Sequence, residues 1–129
     1  MPPDEGGESG SAVVEFALLL PVLLLLLLAV VQVGVLASDR LLLAQAARAG
    51  VREAAVQEFD EAIREAATSA GAGLDPERLR LEVTRTGSRG SPVTVSLSYD
   101  VPIAGILAGW LLPATVTIST AATARQEYG

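Results

Sequence analysis

The chain has 129 residues, half of them hydrophobic, and a formal net charge of −6, which leaves room for one small folded unit. It contains no Cys, no His and no Lys, so disulfides, thiolate nucleophiles, imidazole bases, most zinc sites, P-loops and Schiff-base lysines are excluded. Arg is the only basic side chain and the balance is acidic, which argues against nucleic-acid binding.

The first ten residues, MPPDEGGESG, carry the acidic side chains Asp4, Glu5 and Glu8. From Ala12 to Ala37 the only charged residue is Glu15 and the only strongly polar one is Gln32. A helix needs about 20 apolar residues to cross a hydrocarbon core of about 30 Å, and this run exceeds that. Nine leucines lie between Leu18 and Leu28. Each favours the bilayer centre by about 0.3 to 0.6 kcal/mol, against about 2.5 to 3.5 kcal/mol for a charge there and less near an end. Insertion therefore wins with Glu15 present. Pro21 removes one helical hydrogen bond, which membrane helices tolerate. A cleaved secretory signal is the rival reading, with VLAS at Val35 to Ser38 as its best site. That pattern, however, wants a basic start and an apolar run of about 7 to 15 residues. Arg40, Arg48 and Arg52 follow the segment, so the positive-inside rule alone places the remainder in the cytoplasm. Glu15 has a simple structural reading, a carboxylate in the first helical turn at the positive end of the macrodipole, with Ser11 as N-cap.

From about 41 to 70 the Ala, Glu, Arg and Leu content predicts helix. Leu42, Ala49, Val56 and Ile63 recur every seven residues, with Phe59 and Ala66 beside them, and form an apolar stripe that packs on a sheet or serves as a coiled-coil seam. So much alanine favours the sheet. GAGLDPE ends the helix, with Gly71 and Gly73 suited to a C-cap and Pro76 preventing continuation. Strand alternation follows over about 78–85 (Leu79, Leu81, Val83 inward) and 93–101 (Val93, Val95, Leu97, Tyr99, Val101 inward), with TGSRGSP as the turn. A third strand over about 114–121 completes an α+β unit of one helix on a three-stranded antiparallel sheet. Between the last two strands lies PIAGILAGWLLP, too apolar for a typical solvated loop and too short to span. Ile106, Leu107, Trp110, Leu111 and Leu112 either pack on the domain's own core or form an interface with a bilayer or a neighbouring subunit.

The string G-SAVVEF resembles a prepilin processing site: Gly10 before the cut, Ser11 after it, Glu15 fifth in the mature chain and the aromatic Phe16 next. A side-chain-free Gly10 suits close approach of a peptidase. Cutting there creates an α-amino group on Ser11, with a reference pKa of about 7.7 to 8.0. An ammonium and a carboxylate are each costly in lipid, so each favours a partner. From about Gly10 to Tyr128 the chain resembles the TadE-like family of the Tad/Flp pilus and secretion apparatus. The resemblance is carried by GSAVVEFALLLPVLLLLLLAVVQVG, LLLAQAARAGVREAA (Leu41 to Ala55) and TVTISTAATARQE (Thr115 to Glu127). It implies a leader over 1–10, a transmembrane helix over 11–37 and an extracytoplasmic pilin-like domain over 38–129. It also implies a bacterial, single-pass pseudopilin whose partners are the bilayer, a prepilin peptidase, other pilin-like subunits and the Tad machinery. Glu15 and Phe16 would then set assembly register, Glu15 pairing with the Ser11 amine of a neighbour. The family's leaders are commonly basic, whereas this one is acidic. The alternative is an uncleaved single-pass protein whose outer domain is a binding module. No metal, cofactor or small-molecule substrate is expected, and no catalysis: Asp60 and Glu61 fall on a charged helix face suited to solvent rather than to general acid/base chemistry.

Overall fold

The computed structural model describes residues 6–103, 109–110 and 113–128. The elements in chain order are α1 (Gly6–Val56), α2 (Asp60–Ala70), a single 3-10 turn (Pro76–Arg78), β1 (Leu79–Arg85), β2 (Pro92–Pro102) and β3 (Thr115–Arg125). The chain divides into two compact units, Met1–Gly34 and Val35–Gly129.

In the first unit α1 runs through Pro21 without interruption. Its helix begins at Gly6, before the predicted N-cap Ser11, so Ser11 sits inside a helix and caps nothing. Large apolar side chains from Val13 to Val33 are exposed except for the half-buried Leu28, and the most apolar 18-residue window has mean hydropathy 2.9 with none of it buried within the chain. A helix apolar on all sides and covered by no protein belongs in lipid. By length and composition, the described residues hold one such helix.

The second unit is a helical layer on one face of a sheet ordered β1-β2-β3, antiparallel throughout. Period-two alternation sends Val93, Val95, Leu97, Tyr99 and Val101 of β2 into the core. The helical side of that core is made by Leu43, Ala46, Ala47, Val51, Ala54 and Ala55. These follow the i, i+3, i+4, i+7 spacing of one helix face. Gly50 belongs to the same face because nothing larger fits: a Cβ there would stand 3.3 Å from Val95 Cγ1 and 3.4 Å from the Ala67 methyl.

Three expectations need revision. The helix predicted over 41–70 is two helices, interrupted at 57–59. No Gly or Pro marks the break in QEFD. Tertiary groups occupy the carbonyls there: the Glu127 N–H donates to Ala55 O (2.7 Å) and Arg85 Nη2 to Glu58 O (3.1 Å). Helix ends survive where such partners replace the lost ladder. Reversal at this point folds α2 back so that Ile63 and Ala67 reach Gly50. The predicted seven-residue stripe is packed only in part: Ile63 is in the core and Leu42 packs against it, but Val56 is 52% and Phe59 74% exposed. On α1 the buried face runs beside the stripe through Leu43, Ala46, Ala47, Val51, Ala54 and Ala55. Finally, β3 continues to Arg125, beyond the predicted 121, because Ala121 to Arg125 stay in register with Pro92 to Ser96 despite the weak strand preference of alanine.

Candidate functional site

Gly10, Ser11, Glu15 and Phe16 all lie on α1 and all are exposed. A Cβ at Gly10 would meet nothing within 4 Å. Glycine in a helix interior is less favourable than alanine by about 1 kcal/mol, so folding gives no reason for Gly10, in contrast to Gly50 farther along α1. Ser11 and Glu15 are one helical turn apart, on one face. In the described part of the β2–β3 connection, the Ile103 N–H donates to Ala114 O (2.9 Å) and closes its base. Trp110 is 80% exposed and does not pack on the domain's core. The other residues of that predicted cluster, Ile106, Leu107, Leu111 and Leu112, lie outside the described residues.

A polar network that the sequence did not announce ties one end of the second unit together. Gln126 is 4% exposed. With its amide nitrogen toward the β1–β2 turn it donates to Gly87 O (2.8 Å) and Ser88 O (3.1 Å), and its amide oxygen accepts from the Tyr128 hydroxyl (3.3 Å). Arg85 Nε donates to that hydroxyl (3.1 Å) and Arg85 Nη2 to Asp60 Oδ1 (3.1 Å). Burial disfavours the Arg85 charge, but the bonds to Tyr128 and Asp60 outweigh it and hold its pKa above the ordinary value. The turn itself needs Gly90, whose φ is +88°. On the sheet's outer face Thr117 Oγ1 donates to Asp100 Oδ1 (2.6 Å), and Arg80 pairs with the same carboxylate. The Thr117 bond, with Arg80 adding to it, keeps the Asp100 pKa below the usual carboxylate value.

Between α1 and β3 runs an open groove of about 420 Å³. Arg48 and Arg52, one helical turn apart, and Arg125 from the end of β3 form its rim; Val51, Ala55, Val56 and Ala124 form its floor. Glu127 also lines it. Sequence reading noted Arg48 and Arg52 only as charges following the apolar segment. Their convergence with Arg125 depends on β3 running its full length. Among the described residues no group of three or more His, Cys, Asp or Glu is placed to hold a metal ion.

An exposed apolar helix followed by an α+β unit of pilin-like architecture defines the class of membrane-anchored proteins with a small folded domain. Residues 10–52 match the family model of TadE-like proteins, from the glycine at the predicted processing site through the apolar segment to Arg52. The chain therefore carries a TadE-like region there, in agreement with the resemblance read from its sequence. Neither the curated proteins nor the solved structures contain a match to it.

Proposed function

We propose that this protein is a TadE-like pseudopilin that takes part in building a Tad/Flp-type pilus or secretion apparatus after a prepilin peptidase cuts between Gly10 and Ser11. The observation that carries the reading is Gly10 itself: it heads the TadE-like match, yet no packing within the chain calls for a glycine there. A requirement imposed by an enzyme that approaches the backbone supplies the missing reason. Cleavage removes the acidic leader, leaves the apolar helix as anchor, and frees an amine at Ser11. Glu15, exposed in an otherwise apolar segment, pairs with the amine of a neighbouring subunit and fixes register between featureless helices. The domain after residue 38 is extracytoplasmic in this reading. The role is structural rather than catalytic.

Intact mass of the membrane-extracted protein from cells that contain the peptidase tests the cut: a chain beginning at Ser11 supports it, one beginning at Met1 removes it. Gly10→Val should block processing, while Glu15→Ala should be processed and assemble poorly. Protease added to intact cells should digest the region after Arg40; digestion only after lysis reverses the orientation. The uncleaved anchor with an outer binding module is the competing reading, favoured by the acidic leader and by Arg40, Arg48 and Arg52 after the span.

A further inference from the structure

The second unit carries two different surfaces, the groove between α1 and β3 and the α1–α2 junction. At the β3 edge is the groove between α1 and β3. Among the described residues, Arg48, Arg52 and Arg125 at its rim make no ion pair. The α1–α2 junction follows directly after Val56 of that groove and is held by the bonds of Arg85, at the end of β1, to Asp60 and to the Glu58 carbonyl. Phe59 projects from that junction, 74% exposed although large and apolar. Around it Glu58, Glu61 and Glu65 are exposed and make no ion pair among the described residues, with Arg64 as the nearby cation. The groove thus offers an apolar floor with three arginines against the single acid Glu127, and the junction an aromatic knob with acidic flanks.

The two surfaces also match in position. Arg85, Val93 and Ala124 form one cross-strand row, so the junction tied to Arg85 and the groove floored by Ala124 lie at the same level of the sheet. Arg48 and Arg52 on α1 and Glu61 and Glu65 on α2 are each spaced by four residues, about 6 Å along a helix. Two Arg–Glu pairs can therefore form together when the helices lie side by side.

We infer that the groove receives Phe59 and its acidic flanks from a second copy of this chain, in a head-to-tail contact. Phe59 fills the apolar floor, and Glu61 and Glu65 meet Arg48 and Arg52. Because the two surfaces are different, the contact is heterologous and leaves a free groove and a free knob for further copies. Copies related in this way by lateral displacement keep their α1 helices pointing in one direction, as chains anchored in one membrane must. A two-fold pairing of β3 edges would reverse the strands and the α1 segments packed on them. The inference deepens the pilus-subunit reading and rests on it for side-by-side assembly in a shared membrane.

The test is mixing of full-length variants in detergent micelles, followed by sedimentation. Phe59→Arg keeps an intact groove, and Arg52→Glu keeps an intact knob; both positions are exposed. The wild type should self-associate, more weakly at high salt. Each variant alone should do so at least about tenfold more weakly, the scale of losing a buried aromatic or charged anchor. The two mixed should recover a one-to-one dimer, and Arg52→Glu with Glu61→Arg should restore self-association in one chain. A monomeric wild type, unimpaired single variants, or a mixture that stays monomeric overturns the inference. A monomeric wild type whose Arg52→Glu variant still loses pilus assembly also overturns it, and assigns the groove to a different acidic partner. Normal mixing behaviour in a chain that is never processed at Gly10 would instead defeat the pilus reading and leave this contact standing.

Discussion

The two halves of α1 are one continuous helix and have opposite fates. From Val13 to Val33 leucine and valine are exposed except for the half-buried Leu28, and Gly34 has open space around it; from Leu43 to Ala55 a stripe dominated by alanine is buried, and Gly50 is crowded by Val95 and Ala67. Leucine is the more hydrophobic residue, yet alanine is the buried one. Burial inside a protein follows from a partner surface at close range, and small side chains let α1 approach β2 and α2. The apolar excess of the first half, with no such partner, is left for a solvent that accepts it, the bilayer.

The contrast breaks most decisively at the anchor. Replacing both Leu24 and Leu25 by Arg should oppose insertion by about 5 to 7 kcal/mol, at about 2.5 to 3.5 kcal/mol for each mid-span Arg. Carbonate extraction of membranes should then release a protein that the wild type retains. In the second unit Ile63→Ala, at a side chain with no exposure, should lower unfolding stability by about 2 to 5 kcal/mol in denaturant titrations of the micelle-bound chain. Leu25→Ala should leave that transition in place. The paired glycines sharpen the comparison further. Gly50→Leu should cost about 1 to 3 kcal/mol through overpacking against Val95 and Ala67, and Gly34→Leu should leave the second unit unchanged.

The smallest expected effect concerns acid. Asp100 has a folded pKa below its unfolded reference of about 3.9. Its contribution is therefore present above that reference and is lost as pH falls through the lower folded value. Asp100→Asn should be slightly less stable than the wild type at neutral pH and converge with it in acid. A gap that persists in acid would mean that the Thr117 and Arg80 contacts do not act through the carboxylate's charge.

Much of this was legible because it rests on local pattern. The apolar run, the alternation of β2 and the turn glycine at Gly90 each need only a period or a backbone conformation. The family match over residues 10–52 was legible as a motif, whereas processing at Gly10 and Ser11 and a register role for Glu15 and Phe16, all exposed on α1, stand as proposals. Phe59 and Val56 were misplaced because a seven-residue repeat assumes that one helix continues, and nothing in Gln57-Glu58-Phe59 forbids it. Gln126 carries no sequence signal at all. Its burial depends on where the β1–β2 turn arrives.

Composition by itself determined that one segment seeks lipid and that the remainder forms a small α+β unit, since hydropathy and periodicity act through neighbours in the chain. Tertiary structure decided where α1 stops, which alanines are core, and that Arg48, Arg52 and Arg125 share a groove. Those outcomes depend on carbonyls, cavities and charges meeting across long sequence distances, where the groups that compete for a residue are not beside it in the chain.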